Sequence, residues 1–182
     1  MAQLLSNIEV LLLSIVNEKP SYAYEIDKII DLRNMRVWAR IGVASIYQVL
    51  KRLEEKNLVY SKKEKEGRMP ERKRYYITDE GKAVLIKASK RLLSSFEGYY
   101  LDLNVGLEAS DLLTPGEMAS CIKKRFAKVQ SNIEKVRKMY ADEKEAVFKK
   151  KAVIKNLIAL REAEEMILKE FIRELSTVDE QQ

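Results

Sequence analysis

The sequence predicts a mainly α-helical protein with one small two-stranded antiparallel hairpin. Apolar residues recur every three or four positions over most of the 182 residues, as they do on one face of a helix. Residues 73–77 instead alternate between two faces, as a strand does, and 58–60 begin a partner strand. With only 6 glycines and 3 prolines, a loop-rich all-β fold is disfavoured.

Two helices are predicted near the N-terminus. The first should span about residues 3–17, where five apolar residues share one helical face: Leu4, Ile8, Leu11, Leu12 and Ile15. Pro20 follows its end, and Ser21 is the expected N-cap of the second helix. The apolar positions of this second helix are Tyr24, Ile26, Ile29 and Ile30. A polar, cationic connection over 31–40 then leads towards the third helix.

The third helix is predicted after Gly42 and ends near Asn57, which suits the left-handed C′ position. Its apolar positions are Val43, Ile46, Val49, Leu50 and Leu53. The hairpin comes next, with Gly67 and Pro70 supplying the turn. Thr78, followed by two acidic residues, is expected to begin a fourth helix, because acidic side chains suit the helix dipole there.

Two long amphipathic helices are predicted in the second half, after an ambiguous stretch over 96–109. Thr114 and Glu117 form a capping box with proline at the first helical position. One apolar stripe then extends over about 26 residues: Met118, Ile122, Phe126, Val129, Ile133, Val136 and Tyr140. A last helix near 143–176 should turn its own stripe inward: Val153, Leu157, Leu160, Ile167, Leu168, Phe171 and Leu175. Two such helices leave apolar edges uncovered, so we expect residues 93–182 to pair with a second copy.

Composition excludes several classes of function. The chain has no histidine, which removes the commonest general base and zinc ligand. Its single cysteine, Cys121, cannot form an intrachain disulfide, and we interpret it as a small core residue on a helix. The N-terminus lacks a signal-peptide pattern and no apolar run approaches 18 residues, so we expect a soluble, cytoplasmic protein. No cofactor is expected.

The net charge of +6 is concentrated in one segment. Residues 51–76 contain ten basic and five acidic residues, an excess of five positive charges, whereas 101–182 are balanced at fifteen of each. A localised excess indicates a polyanionic partner. A short helix followed by a cationic hairpin fits double-stranded DNA, because a helix enters the major groove and the hairpin can lie on phosphates.

Four stretches of the sequence resemble the PadR family of bacterial transcriptional regulators. They are 20–26 (PSYAYEI), 44–54 (ASIYQVLKRLE), the wing pattern Gly67, Pro70, Arg72, Lys73, Tyr75, Thr78 and Gly81, and 113–117 (LTPGE). The resemblance is specific over about 20–81. Three residues depart from the usual pattern: Ala23 replaces glycine, Gln48 replaces proline and Asn57 replaces glycine.

The resemblance implies a winged helix-turn-helix DNA-binding domain over 1–92 and a helical dimerisation domain over 93–182. It also implies that helix 3 enters the major groove and that its first residues reach base edges. These residues are Val43, Ala44, Ser45 and Gln48. A glutamine side chain suits adenine, although Ser45 could equally be a helix-start residue and Gln48 a solvated one.

Further DNA contacts are expected from Tyr47 and from the wing. The resemblance favours a phosphate contact for the Tyr47 hydroxyl over a core position, and one of Lys51 and Arg52 should also face phosphate. The wing cations are Lys62, Lys63, Lys65, Arg68, Arg72, Lys73 and Arg74. Alternation turns about half of them away from DNA, and we select Arg68, Arg72 and Lys73 as contacts. Tyr75 and Ile77 are expected in the core.

Trp38, the only tryptophan, has two interpretations. It could anchor the connection between helices 2 and 3 in the core, which we favour. It could instead line an effector pocket with Phe96, Tyr99 and Tyr100. The resemblance implies that such an effector would be a small hydrophobic or phenolic molecule.

The sequence therefore favours a homodimeric transcriptional regulator, a repressor, on an inverted-repeat operator, with an effector that moves the two DNA-binding domains out of register. The alternative is a winged-helix protein–protein module that binds no DNA, against which the charge of the wing argues. An enzyme is disfavoured, because no catalytic arrangement or phosphate-binding loop is visible.

Overall fold

Four α-helices and a small sheet make up most of the described residues in the first half of the chain. The computed structural model describes residues 4–65, 71–141 and 148–179, and it divides the chain into two compact units, 1–97 and 98–182. In chain order, the elements of the first unit are α1 (Asn7–Glu18), β1 (Ser21–Tyr22), α2 (Ala23–Leu32), a 3₁₀ turn (Met35–Val37), α3 (Val43–Glu55), β2 (Val59–Glu64), β3 (Arg72–Ile77) and α4 (Asp79–Ser94).

The first helix begins four residues later than the sequence pattern predicts. Ser6 is its N-cap: the Ser6 hydroxyl accepts a hydrogen bond from the Glu9 amide, and the Glu9 carboxylate accepts one from the Ser6 amide at 2.8 Å. This capping box satisfies backbone donors that would otherwise lack partners. Leu4 therefore lies outside the helix and is exposed, contrary to its predicted place on the apolar face, and Leu5 is buried.

The predicted antiparallel hairpin forms from β2 and β3. The described sheet has a third strand, in the order β1-β3-β2, so the expectation of only two strands is wrong. The added strand is Ser21–Tyr22, which pairs antiparallel with β3 through Ser21 opposite Tyr75. Ser21 is consequently not the N-cap of α2. Its hydroxyl donates to the Lys19 carbonyl, and Tyr22 takes the N-cap position, where its amide donates to the Glu25 carboxylate at 2.9 Å.

The core of this unit lies where α1, α2, α3 and the inner face of the sheet meet. Its fully buried side chains are Leu12, Leu13, Ile15, Val16, Ile26, Ile30, Ile46, Val49, Leu50, Leu53 and Val59. Tyr75 is buried and Ile77 packs against this cluster, which confirms their predicted core positions. Tyr24 is predicted as an apolar position of α2, but it is exposed and stacks on Tyr22 with ring centroids 5.5 Å apart.

The end of α3 and the start of α4 form as predicted. Asn57 adopts the left-handed conformation (φ 57°) after α3 ends, which asparagine tolerates better than most residues. The Thr78 hydroxyl caps α4 by accepting from the Gly81 amide at 2.9 Å. Thr78 also donates from its hydroxyl and its amide to the Leu58 carbonyl, at 3.1 Å each, and so joins α4 to the start of β2.

The second unit is a pair of long helices preceded by a short one. Its elements are α5 (Asp102–Glu108), α6 (Pro115–Met139) and α7 (Phe148–Asp179). The predicted capping box of α6 is present, with Thr114 and Glu117 exchanging backbone hydrogen bonds. The helices run antiparallel, since Lys169 lies over the Phe126 ring, whereas Arg137 near the other end of α6 pairs with Glu162.

Two predictions for the second unit need correction. Val153, Leu160 and Ile167 are expected to face inward, but they are exposed, whereas Leu157 and Leu168 are buried against α6. A single neighbouring helix covers only a narrow stripe of α7, so the wider predicted face cannot all be buried. Cys121 is exposed rather than in the core. The predicted start of α7 at 143 lies outside the described residues. Among those residues, no helix has both the length and the apolar character that a membrane span requires.

A buried ion pair ties the start of α1 to the end of α3. The Lys56 ammonium lies 2.6 Å from the Glu9 carboxylate, and Glu9 is buried. Burial raises the pKa of Glu9, but hydrogen bonds from Lys56 and Ser6 outweigh this effect and hold the pKa below its ordinary value of 4.5. The folded state therefore binds this proton less tightly than the unfolded state does, so the pair contributes stability above about pH 4.5 and loses it as pH falls further.

We predict that Glu9→Gln lowers the free energy of unfolding of the first unit by about 2 kcal/mol at pH 7, because Lys56 loses its charged partner. The loss should shrink as the pH falls below 4.5, because the stability that the wild-type carboxylate contributes is lost as it becomes protonated. Urea unfolding followed by the fluorescence of Trp38 reports on this unit. Glu80→Gln, at an exposed position of α4, is the control and should change stability by less than about 0.5 kcal/mol. A pH-independent loss would contradict the prediction.

Gly81 gives a second prediction, because a Cβ atom there would lie 2.1 Å from the Leu58 carbonyl oxygen and 2.8 Å from Ile77 Cγ1. That carbonyl accepts the two hydrogen bonds from Thr78, so it cannot move without loosening them. Gly81→Ala should destabilise the unit by about 1–3 kcal/mol. Lys82→Ala, at the exposed neighbouring position, should cost less than about 0.5 kcal/mol in the same urea titration. Equal stability of Gly81→Ala and wild type would contradict the close contact.

Candidate nucleic-acid interface

Helix α3 has one buried face and one exposed face. Ile46, Val49, Leu50 and Leu53 point into the core with at most 1% of their surface exposed. The helical period then turns the residues between them outward. Val43, Ala44, Tyr47, Gln48 and Lys51 are exposed, and Ser45 is half-buried. The structure therefore brings the predicted base-contacting residues onto one side of α3, with the Tyr47 ring among them rather than in the core.

The position of the α3 N-terminus is fixed by Arg36, a residue that the sequence pattern alone does not single out. Its guanidinium bonds to Asp27 and Asp31 on α2, and Arg36 Nε donates to the Ile41 carbonyl at 3.0 Å. The two carboxylates, that of Asp27 first, raise the pKa of Arg36 above its ordinary value. Two aspartates four residues apart followed by an arginine could have indicated this connection.

Trp38 does not anchor this connection in the core, contrary to the favoured interpretation. It remains 39% exposed, whereas Met35 and Ile41 are buried and fill the space between α2 and α3. The other three aromatic rings assigned to a possible effector pocket are also exposed to solvent. Phe96 in the first unit is 91% exposed, and Tyr99 and Tyr100 in the second are 67% and 97% exposed. None of these three rings is enclosed.

The pairing of β2 with β3 distributes the wing cations between two faces. Tyr75 is buried, so the side chains that share its face of the sheet point towards the core and α3. Lys73 lies on this inner face, paired across the strands with Lys63. The Lys73 ammonium lies 3.4 Å from the carboxylate of Glu54 on α3. Lys63 and Lys73 are thus on the same side of the hairpin as α3.

The outer face of the sheet carries Lys62, Arg72 and Arg74 instead. The Arg72 guanidinium lies 5.0 Å from the centre of the Tyr24 ring. Lys62 lies 5.3 Å from the centre of the Tyr76 ring, which stacks on Tyr60. Arg72 and Lys73, which we selected together as DNA contacts, are therefore on opposite faces. Arg68, the third selected residue, lies outside the described residues, as do the turn residues Gly67 and Pro70.

Glu64 is the centre of the outer face. Its carboxylate accepts hydrogen bonds from the Tyr22 hydroxyl at 2.7 Å, from Arg74 Nε at 2.9 Å and from the Tyr76 hydroxyl at 3.0 Å. These donors, Tyr22 first, lower the pKa of Glu64. The Arg74 guanidinium also lies 4.1 Å from the centre of the Tyr22 ring. We call these four residues, Tyr22, Glu64, Arg74 and Tyr76, the Glu64 cluster.

Two ion pairs on the α3 side are well exposed, whereas Glu54, the partner of Lys73, is only 30% exposed. Lys51 lies 3.8 Å from Glu55 and Lys63 lies 3.3 Å from Glu71, with each side chain more than half exposed. Exposed pairs of this kind contribute at most about 1 kcal/mol, so a phosphate could replace the carboxylate at little cost. The carboxylates of Glu55 and Glu71 therefore leave Lys51 and Lys63 capable of binding a polyanion.

Together, an α2–α3 helix-turn-helix with an exposed second helix and a cationic β-hairpin define the winged-helix class of DNA-binding domains. The sequence profile of the family described as "Transcriptional regulator PadR-like family" matches residues 12–87, from α1 to α4. Residues 12–87 thus carry the sequence pattern of this family of transcriptional regulators.

Solved structures resemble the chain over nearly its whole length. Bacillus subtilis PadR in complex with operator DNA is 15% identical, with a TM-score of 0.80 over 93% of this chain and 99% of that one. The same regulator in complex with p-coumaric acid is 13% identical, with a TM-score of 0.77 over 93% and 98%. The PadR-like regulator BC1756 from Bacillus cereus is 22% identical, with a TM-score of 0.65 over 96% and 99%. At these identities the likeness is one of fold. No curated protein sequence matches the chain.

Proposed function

We propose that this protein is a repressor that binds an inverted-repeat operator in double-stranded DNA as a homodimer. The observation that carries the proposal is the shared side of α3 and the wing: the exposed face of α3 lies beside Lys63 and Lys73. A helix in the major groove with cations on the flanking phosphates needs this arrangement. The fold shared with PadR in its operator complex supports it.

Within this proposal the exposed residues of α3 have distinct roles. Gln48 offers both an amide donor and an acceptor, which together match the edge of an adenine in the major groove. Val43 and Ala44 offer apolar contact to thymine methyl groups, and Ser45 is less accessible. The Tyr47 hydroxyl and Lys51 are proposed to bind phosphates and so to fix the register of α3 on the duplex.

The wing contributes contacts that do not depend on base sequence. Lys73 is the proposed phosphate contact of the inner face, and Lys63 adds to it because it lies opposite Lys73 in the strand pair. Arg68 remains a proposed contact. Arg72 remains one too, although its position over the Tyr24 ring would require that cation to turn away from the ring.

The exposed residues of α7 support the homodimer. Val153, Leu160 and Ile167 are seven residues apart and remain exposed after α6 has packed against α7. Apolar residues at this spacing form the seam of a coiled coil when a second helix covers them. A second copy of the chain would cover this stripe and would supply the second recognition helix that an inverted repeat requires.

We also propose a small hydrophobic or phenolic effector. The crystal structure of PadR with p-coumaric acid supports this chemical class. Trp38 and Phe96 in the first unit are proposed contacts, and so, separately, are Tyr99 and Tyr100 in the second, because each exposed ring could stack on an aromatic molecule.

For DNA binding, we predict that Lys73→Ala weakens binding to the duplex upstream of the protein's own gene. It should also make the slope of log K against log salt shallower by about 0.9, because the protein then neutralises one phosphate fewer. Fluorescence anisotropy between about 50 and 200 mM salt measures both quantities. Lys87→Ala, at an exposed position of α4, is the control with the same change of charge. An unchanged slope for Lys73→Ala would contradict the wing assignment, and no binding by the wild type would favour the protein–protein alternative.

For the dimer, we predict that the wild type has the mass of two chains by light scattering at micromolar concentration. Leu160→Glu should shift it towards the monomer, because a charge in an apolar seam is costly to bury. Ser131→Glu, at an exposed position of α6, adds the same charge elsewhere and should leave the mass unchanged. A monomeric wild type would overturn the homodimer.

A further inference from the structure

The Glu64 cluster joins the wing to the helix-turn-helix. Glu64 is the last residue of β2, where the wing leaves the sheet. Tyr22 stands on the other edge strand, directly before α2, and Arg74 and Tyr76 belong to β3 between them. A single carboxylate therefore links both edges of the sheet and the residue that caps the first helix of the helix-turn-helix.

This link is strong compared with the backbone pairing beside it. β1 has only two residues, so its ladder with β3 provides little resistance to bending. The three hydrogen bonds that Glu64 accepts are charge-assisted, which makes each about twice as strong as a neutral one. Arg74 adds a further tie, because its guanidinium lies over the Tyr22 ring and donates to the Pro20 carbonyl at 3.4 Å.

The donors of the cluster are held on the face opposite Lys63 and Lys73, the proposed phosphate contacts of the inner face. Arg74 and Lys62 point to the outer face, whereas Lys63 and Lys73 point to the α3 side. The cluster can thus act on these two lysines only through the direction in which it holds the strands that carry them.

We propose that Glu64 is a positioning residue that fixes the wing against the start of α2, so that Lys63 and Lys73 reach phosphates while α3 lies in the major groove. This inference rests on the DNA binding proposed above. It assigns a positive role in DNA binding to a carboxylate located in the most basic segment of the chain.

The direction in which the DNA affinity changes when Glu64 loses its charge distinguishes a positioning role from simple electrostatic repulsion. Removing a negative charge from a DNA-binding surface ordinarily tightens binding and steepens its salt dependence, because the protein becomes more attractive to the polyanion. A positioning role requires the opposite. Without the carboxylate the wing is released and binds fewer phosphates, so binding becomes weaker and less salt-dependent.

Glu64→Gln and Glu71→Gln form a matched pair for this test. Glu71 is also a carboxylate at the end of the wing, but its partner is Lys63 on the side that faces α3. With the duplex used above, Glu64→Gln should weaken binding roughly fivefold at 0.15 M salt for each phosphate that the wing no longer reaches, with a slope shallower by about 0.9. Glu71→Gln should bind as tightly as the wild type or more tightly.

A double-mutant cycle with Lys73→Ala shows whether Glu64 acts through the wing. In the wild-type background, Lys73→Ala should lower the affinity for DNA roughly fivefold. In the Glu64→Gln background the same substitution should lower the affinity less than about twofold, because the wing no longer brings Lys73 to its phosphate. A general loss of stability would leave the cost of Lys73→Ala unchanged, and thermal unfolding by circular dichroism measures stability separately.

Tyr22→Phe provides a variant without any change of charge. It keeps the ring under Arg74 and removes one donor to Glu64, so it should weaken binding in the same direction as Glu64→Gln. It also decides the question if Glu64→Gln does not fold. Tighter binding by Glu64→Gln, or an unchanged cost of Lys73→Ala in its background, would overturn the positioning role alone. Absence of salt-dependent binding by the wild type would overturn the proposed function itself.

Discussion

Burial of one face of α3 is the constraint on which the arrangement of the first unit depends. Ile46, Leu50 and Leu53 are fully buried against side chains such as Leu12 and Leu13 of α1. Each such side chain contributes about 1.5–3 kcal/mol relative to an exposed one, so a rotation of α3 about its axis would cost several of these contributions at once. The buried side chains therefore fix the rotation of α3 about its axis, and this rotation determines which residues lie on its exposed face.

Polar contacts fix those positions of the helices and the wing that burial of apolar side chains leaves free. Apolar packing is non-directional, so it does not by itself fix how the chain enters α3 or how far the wing leans. Arg36 fixes the entry by linking two carboxylates of α2 to the backbone before α3. Glu9 and Lys56 connect the beginning of α1 to the end of the same helix. These contacts are directional, and each joins two elements that the core only brings near one another.

The sequence is informative where the signal is local. The cap of α6 at Thr114, the cap of α4 at Thr78 and the left-handed Asn57 all follow from residues within one helical turn of each other, and they form as predicted. The family and the winged-helix class are also predictable, because motifs over 20–81 carry them.

What could not be predicted depends on contacts between distant residues. A strand of two residues, β1, has no periodicity to detect, and it exists because β3 offers it an open edge. In the sequence, Glu64 looks like one of the carboxylates that dilute the charge of the wing, since its partner Tyr22 is 42 residues away. The exposure of Trp38 depends on Met35 and Ile41 filling the core first. Helical periodicity predicts the apolar stripe of α7 but not how much of that stripe is buried, because the buried width depends on the number of helices that pack against α7.

In the wing, the face on which each lysine or arginine lies is a better guide to DNA binding than the number of these residues. Strand alternation sends consecutive cations to opposite faces, so Lys73 shares the side of α3 while Arg72 and Arg74 lie over tyrosine rings on the other. The excess of five charges over 51–76 therefore overstates what one surface can present. What makes this surface suited to a duplex is that Lys63 has an exposed carboxylate partner, which a phosphate can replace, and that Lys73, itself half exposed, lies on the same side. On the outer face, Lys62 and Arg72 lie over aromatic rings and Arg74 donates to Glu64, so a phosphate has to compete with these contacts for each cation.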